Sequence, residues 1–522
     1  MKQHCIRHTE LPGATRLFSD LLYHFDRVAE FYPHAPYDPC SFAEAAREIV
    51  YPADRRAAII EALRATNPGN PSVDKLAGPN VTAVVTGQQV GLFGGPLYTI
   101  FKALAAVKLA RTLSDNGTCA VPVFWLATED HDLEEINQSW SYDAAHTPVQ
   151  FTTPSVNPLH GPVGPIALRD VPLEALRETL HGLPFAEEAY ALAKAAYGSG
   201  ENFGSAFRKL VEEILRPYGM IFLDPLDPAI RQIAAPFLCR ALSLSAELAA
   251  AVQERSRELE AAGYHAQVHL EPNASLFFTL DGGRRVALKR KGELLNEKPL
   301  AAWLERPELL SPNAILRPVM QDFLLPTVAY LGGPAELAYF AQSEPLYRML
   351  LGRMPVVTHR ASFTLLSHRA AKLTERYRLG LKDIAVPEVS LREKMAKQLT
   401  PEGITAQFAL SRAAVTAELD RLSASVQGFD PGLEKALGKS RAKILYQIGK
   451  MEDKTAREAM RRDERATADA QYLHDIIYPH RHLQERKYGL LPFLAEHGPD
   501  LVERIYACVE PTCPDHQVVS LD

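Results

Sequence analysis

The stretch from Val81 to Lys102, VTAVVTGQQVGLFGGPLYTIFK, constrains the fold more than any other part of the chain. Val81, Thr82, Ala83, Val84 and Val85 form a short β-branched run that Gly87 ends, the pattern of a buried strand. Gly87, Gly91, Gly94 and Gly95 crowd the turn that follows, where backbone without a Cβ bends sharply and can approach a ligand. Pro96 suits the first turn of a helix, because its missing N–H would go unpaired there anyway. Leu97, Ile100, Phe101, Leu104 and Val107 then recur at helical spacing. Strand, glycine turn and helix place a site at the carboxyl edge of a parallel sheet, and free amides at the helix start favour an anion there. A tight connection alone would use the same glycines, since the stretch is neither a G-x-G-x-x-G fingerprint nor a Walker loop. Its polar content tilts the reading towards a ligand site. Gln88 and Gln89 lie in the turn, and Tyr98 and Lys102 are four apart on one helix face.

The rest of the chain extends this unit. Residues 1–80 read as mostly helical. Ala120–Leu126 (AVPVFWL) is a second buried strand, so the two strands and their helix form a βαβ unit with parallel pairing. Gly219–Leu223 is a third strand, and residues 228–262 read as one helix, while 143–165 read as irregular. Asp281-Gly282-Gly283 between two apolar runs signals a β-hairpin inside an antiparallel insertion from about 264 to 310. Pro326–Leu331 is a further strand. It ends in Gly332-Gly333-Pro334, so the Gly-Gly-Pro arrangement is used twice, the second time opening a helix with Glu336 and Tyr339. Pro355–Thr358 is the last core strand, with His359 and Arg360 at its end.

Beyond residue 362 the pattern becomes that of long helices. Val415, Leu419, Leu422 and Val426 step by four, three and four; Leu437, Ile444 and Met451 mark one seam, and Arg441, Ile448 and Thr455 another. These features predict an antiparallel hairpin of coiled-coil type over 363–475, turning at Gly428-Phe429-Asp430-Pro431-Gly432, with a second copy of the chain as the expected partner. Residues 476–522 are expected to pack back on a core spanning 1–362.

A length of 522 residues allows two or three domains, and 47% apolar with 23% charged residues is ordinary for a globular protein. A net charge of −6 gives no reason to expect nucleic acid. The N-terminus MKQHCIRHTELPG has no apolar core, and no stretch approaches a membrane span. The six cysteines are scattered without a CxxC, which suits a reducing compartment. The expectation is a cytoplasmic protein with no membrane and no nucleic-acid partner.

Glu129-Asp130-His131-Asp132 is the most unusual tetrapeptide, since four ionisable groups at the end of an apolar strand are costly to bury unpaired. They could ligate a metal, although alternate strand residues point to opposite faces. They could cap the next helix, or face a substrate pocket beside Gln88 and Gln89 as base or acceptor. The last reading is preferred, without a metal, and Asn137 closes the same segment. Arg317, Gln321 and Asp322, ahead of the second Gly-Gly-Pro, could hold a carboxylate or phosphate, or be a surface arginine and its neighbours. His474, His480 and His482 and the cysteines are given no role.

Thr86–Lys102, Val121–Asn137, Arg317–Gln342 and Leu483–Leu494 (LQERKYGLLPFL) together resemble the BshC family, the cysteine ligases of bacillithiol biosynthesis, and the motifs run in order across nearly the whole chain. The resemblance implies an α/β fold with a Rossmann-like core related to class I aminoacyl-tRNA synthetases. It also implies connecting-peptide insertions (about 143–215 and 240–310) and a C-terminal coiled coil that makes a homodimer. It further implies amide-bond formation between L-cysteine and glucosaminyl-malate, and binding of a nucleotide such as ATP or ADP. No HIGH signature stands beside the first strand, and Lys394-Met395-Ala396-Lys397 reads as a solvated helix face instead of a synthetase lysine loop. ATP-dependent ligation is therefore one expectation among several.

On this basis Gly94, Gly95 and the helix after Pro96 are expected to bind an anionic group, with Gln88, Gln89, Tyr98 and Lys102 lining the pocket. Asp130, His131 and Asp132, with Lys102, are the expected catalytic groups, orienting or deprotonating the attacking amine of cysteine. Glu129, Asn137, Arg317, Gln321, Asp322, Gly332, Gly333, Glu336 and Tyr339 complete the expected substrate site. A nucleotide-binding scaffold that recruits partners through its coiled coil, or a nucleotidyltransferase, are the competing readings.

Overall fold

The computed structural model describes residues 3–521 apart from 272, 293 and 428. Gly428 of the expected hairpin tip thus lies outside the described residues. The chain forms two compact units, one of residues 3–364 with 485–519, the other of Leu365–Gln484 with 520–521.

In the larger unit the elements that build the site are β1 (Thr82–Gln88), α1 (Tyr98–Asp115), β2 (Ala120–Leu126), α2 (Leu133–Ile136) and β3 (Ile221–Leu223). They continue with β4 (Ala274–Asp281), β5 (Arg284–Lys291), α3 (Arg317–Leu324), β6 (Thr327–Gly332), α4 (Pro334–Leu350) and β7 (Val356–His359). Five of the strands pair in parallel in the order β7-β6-β1-β2-β3. The register sets Val85 beside Val123 and Tyr330, and Val123 beside Ile221. Every residue of β2 is buried, which explains its unbroken apolar sequence: a parallel sheet is covered on both faces. Val85, Val123, Trp125, Leu223, Tyr330 and Phe340 share the core, each contributing about 1.5–3 kcal/mol on burial. Gly87 is required by close approach, because a Cβ there would come 2.9 Å from the Trp125 carbonyl on the next strand.

Three sequence expectations change. The helix read over 228–262 is two helices, Pro228–Ser243 and Ser245–Ala261, bent by 74°. Ser243 donates its hydroxyl to the Cys239 carbonyl at 2.9 Å, a local bond of the kind that competes with the helix ladder. Among the described residues no single helix is long and apolar enough to cross a membrane, and Leu238, Leu242, Leu248 and Val252 of this bent pair lie in the core. The segment read as irregular from Asp143 instead closes a hairpin of Gln138–Tyr142 with Pro148–Thr152, whose turn is held by the Asp143 carboxylate accepting from the Ala145 and Thr147 amides. The chain ends also pair: Gln3–Ile6 lies antiparallel to the strand His516–Ser520, with Gln3 opposite Val519.

In the smaller unit, α5 (Glu402–Val426) and α6 (Pro431–Arg462) form the expected antiparallel hairpin, tied by Arg412–Glu452 at 2.6 Å and Arg441–Asp420 at 2.5 Å. The seam follows the expected one in part. Leu437, Arg441, Leu445, Ile448 and Thr455 are half-buried, whereas Ile444 and Met451 are 41% and 53% exposed and so do not face the partner helix.

Candidate active site

A cavity of about 820 Å³ opens at the carboxyl edge of the parallel sheet, where open α/β sheets place their ligands. Gly87, Gln88 and Gln89 leave β1, and Tyr98 and Lys102 reach it from α1. Glu129, Asp130 and His131 follow β2, Arg317 stands on α3, Gly333, Glu336 and Tyr339 lie on or before α4, and Arg360 follows β7. Arg486 and the hairpin β4–β5, through Phe277, Phe278 and Arg285, supply the remaining wall.

Lys102 lies at the centre of the wall and is spoken for. Its Nζ donates to the Gly87 carbonyl and to Gln88 Oε1, both at 3.0 Å, and to the Glu336 carboxylate. Three donors meet three acceptors, so no N–H remains for a substrate. Glu336 in turn accepts from the Gly333 amide at 2.7 Å and from the Tyr330 hydroxyl at 2.6 Å. Burial works against its charge. The Lys102 ammonium and these hydrogen bonds outweigh it and hold the carboxyl below its ordinary value. The start of α4 therefore already carries its anion, and Gly332 is needed for it, since a Cβ there would come 2.9 Å from Glu336 Cβ.

At the end of β2 the four ionisable groups divide. Glu129 is paired with Arg231 in a buried site, and Arg231 also donates to the Leu310 carbonyl at 2.7 Å. Asp132 accepts from the Glu134 and Glu135 amides and caps α2. Asp130 and His131 remain on the cavity. Gln89 Nε2 donates to Asp130 at 2.9 Å and to the Glu135 carboxylate, so one amide bridges two acids. Arg285 Nη1 and the Asp130 carboxylate both approach His131 Nδ1, at 2.9 and 3.4 Å. Burial opposes ionisation of Asp130. Hydrogen bonds from His131 and Gln89 and the Arg285 charge prevail, holding its carboxyl far below the usual range. Desolvation and the Asp130 charge push Glu135 upward, against the Gln89 hydrogen bond.

Arginines also line the wall. Arg317 donates to Gln321 Oε1 and to the Tyr339 hydroxyl, both at 3.1 Å, and no carboxylate of the described residues forms an ion pair with it. Arg360 is fixed by two bonds to Glu485, at 3.0 and 2.6 Å, and packs over the Tyr98 ring at 5.0 Å, with Arg486 over the same ring at 6.0 Å.

Of the expected residues, Gln88, Gln89, Tyr98, Lys102, Glu129, Asp130, His131, Arg317, Gly333, Glu336 and Tyr339 share this wall. The others do not. Gly94 and Gly95 were expected to bind an anion. Their amides are used by the Gly91 and Leu92 carbonyls, and the Gly94 amide also meets the Tyr197 hydroxyl. The Leu97 amide goes to the Tyr488 carbonyl, and α1 begins at Tyr98. Asp132 is a cap. Asn137 ends α2 and passes its carbonyl to the Thr153 amide. Gln321 and Asp322 are buried behind Arg317, Asp322 bonded to the Tyr347 hydroxyl at 2.6 Å, and Gly332 serves Arg360 through its carbonyl. Lys102 gives its three N–H groups to the Gly87 carbonyl, Gln88 and Glu336. Sequence reasoning missed Glu135, Arg285 and Arg486. Glu135 and Arg486 lie within or next to quoted motifs, whereas Arg285 comes from the hairpin, whose place over the cavity no local signal gives.

Fold and cavity define an α/β protein with a charged ligand site at the edge of a Rossmann-like sheet and a helical hairpin in a second unit. The model of the N-terminal Rossmann-like domain of bacillithiol biosynthesis BshC matches residues 1–361, and that of its C-terminal coiled-coil domain matches 363–521. The chain belongs to the BshC family. It is 49% identical over 519 residues to a protein of Solibacter usitatus, covering 99% of both chains, and 37% identical over 529 residues to one of Koribacter versatilis, again covering 99% of both. A protein of Salinibacter ruber is 31% identical over 545 residues, covering 98% of both. Each of the three bears the name "Putative cysteine ligase BshC".

Proposed function

We propose that this chain is a ligase of bacillithiol biosynthesis that joins L-cysteine to glucosaminyl-malate through an amide bond in this cavity. The observation that carries the reading is the charge lining the wall. A partly buried arginine, Arg317, lines the wall without a carboxylate in ion-pair contact, and two carboxylates bridged by Gln89 line it as well. A cation left unpaired in such a place favours an anionic ligand, and the malyl carboxylates supply one. The amine falls to the carboxylates. The attacking amine is that of the glucosaminyl unit, not that of cysteine: a cysteine ligase transfers a cysteinyl acyl group, and glucosamine offers the primary amine that accepts it.

An amine attacks only when neutral, so a proton must leave it. Asp130, held far below the usual carboxylate range, is a poor base and serves as a fixed acceptor that orients the amine. Glu135, pushed upward beside it, is the better proton acceptor. Condensation from a free carboxylate requires an activating donor, for which ATP is the nucleotide of this reading.

The protein acts as a cytoplasmic homodimer in this proposal. Leu410, Leu422, Ile444, Tyr446 and Met451 lie 41–66% exposed on the helical hairpin, an apolar set that a second copy would cover.

The Arg317→Ala variant tests the arginine. Arg317 makes only side-chain bonds in the site, so the variant keeps its circular dichroism spectrum. Loss of a charge-assisted contact of about 1.5–3 kcal/mol weakens glucosaminyl-malate binding roughly 10- to 100-fold in calorimetric titration. Unchanged affinity would overturn the assignment.

A further inference from the structure

Cys5 and Cys513 lie 508 positions apart in the sequence, yet their sulfur atoms are 3.7 Å from each other. Cys5 is exposed on the N-terminal strand, where it stands opposite Gln517, and Cys513 is half-buried just before the C-terminal strand. The surroundings hold both ends in place. The Tyr23 hydroxyl donates to Asp515 at 2.8 Å and accepts from the His8 amide at 3.0 Å, so one side chain ties the two termini beside the thiols. Gln3 donates to the Cys508 carbonyl at 3.3 Å. All six cysteines are free, and Cys5 with Cys513 is the one pair of sulfurs in contact among the described residues.

We propose that Cys5 and Cys513 are a redox site, a pair of thiols that low-molecular-weight disulfides convert into an intramolecular clasp between the two ends of the chain. One thiolate attacks the reagent disulfide RSSR, forming a protein–S–S–R mixed disulfide and releasing one RS⁻. The second thiolate then attacks the protein sulfur of that bond, closing Cys5–Cys513 and releasing the second RS⁻. Two protein thiols are oxidised and one RSSR is reduced to two RS⁻, which take up the two protons the protein thiols lost and leave as two RSH.

The chemistry of the neighbourhood fits a clasp that forms slowly. Desolvation, the Cys513 sulfur and the carboxylates of Asp515 and Glu510 push the Cys5 thiol up to about 11. Such surroundings keep the thiolate scarce, which slows attack. The expected clasp therefore forms under sustained oxidation and is not a fast switch.

Purified full-length protein incubated with cystine, alkylated with iodoacetamide and mapped by peptide mass spectrometry tests this directly. The expected product is monomeric protein lighter by about 2 Da, for two thiol hydrogens, before alkylation. It contains a Cys5–Cys513 peptide pair, with the other four cysteines alkylated. In Cys5→Ser the linked peptide disappears, and Cys513 is recovered alkylated or bearing half-cystine. Recovery of both Cys5 and Cys513 as alkylated or half-cystine peptides in the unmutated chain overturns the proposal, as does a link from either one to a different cysteine. The reading holds or fails independently of the ligase assignment.

Discussion

Lowering the pH from 6.5 to 4 removes about 3 kcal/mol of stability through His516 alone. His516 is fully buried, its two ring nitrogens facing the Ser362 and Thr364 hydroxyls at 2.7 and 2.8 Å. Burial, resisted by the Glu485 carboxylate and reinforced by the Arg360 charge, lowers its pKa from 6.5 to about 4. His8 packs against it with ring centroids 6.0 Å apart and is lowered to about 3, chiefly by burial. Both imidazoles are neutral in the fold and become charged more readily once unfolded. Their contribution is thus fully present above pH 6.5 and is lost as pH falls through their folded values. Glu485 adds a second phase. Although burial raises it, the Arg360 guanidinium holds it at about 2 against 4.5, so its contribution is lost between those values. Urea unfolding of the larger unit, followed at pH 7 and pH 4.5, should show a midpoint that falls steeply on acidification, and His516→Gln should flatten the dependence. An unchanged slope in that variant would remove His516 from the account.

Lys102→Met leaves the Glu336 carboxylate without its cation inside the wall and should cost about 3–5 kcal/mol. The Lys102 side chain is 3% exposed and that of Glu336 21%, so solvent does little to replace the lost partner. Removing both charges, as in Lys102→Met with Glu336→Leu, recovers part of the loss, because the penalty comes chiefly from the stranded charge. Urea midpoints of the three proteins decide it. A single variant within about 1 kcal/mol of the parent would show that the pair does not hold this part of the wall together.

Much of the fold was legible because it is local. The bounds of β2 follow from AVPVFWL, and the hairpin turn from Asp281-Gly282-Gly283, since apolar runs and glycine turns act over a few residues. The pairing of Gln3–Ile6 with His516–Ser520 was not legible, because it joins positions over 500 residues apart and neither strand is strongly patterned. The site shows the same division. The strand ends after β1 and β2 and the helix of Glu336 could be placed on one sheet edge from topology alone. Gly94 and Gly95 could not be judged from sequence, because the Tyr197 hydroxyl that meets the Gly94 amide comes from just past the end of the helix Ala186–Ala196, a hundred residues away. Likewise Asp130 and Asp132, two positions apart, take opposite roles only because Gln89 and Arg285 reach one of them while the amides of α2 claim the other.

The seam of the helical hairpin teaches the same lesson in a simpler setting. Spacing gave two seams on α6; Arg441, Ile448 and Thr455 of one are half-buried as expected, whereas Ile444 and Met451 of the other lie outward. An outward apolar stripe is what the homodimer proposal requires.

The central claim is tested most directly by incubating the purified protein with glucosaminyl-malate and L-cysteine, with ATP and without nucleotide, and weighing the products by mass spectrometry. The account predicts a product equal to the two substrates less one water in the ATP arm, and none without nucleotide. Absence of that product in both arms, from protein that binds glucosaminyl-malate, would contradict it.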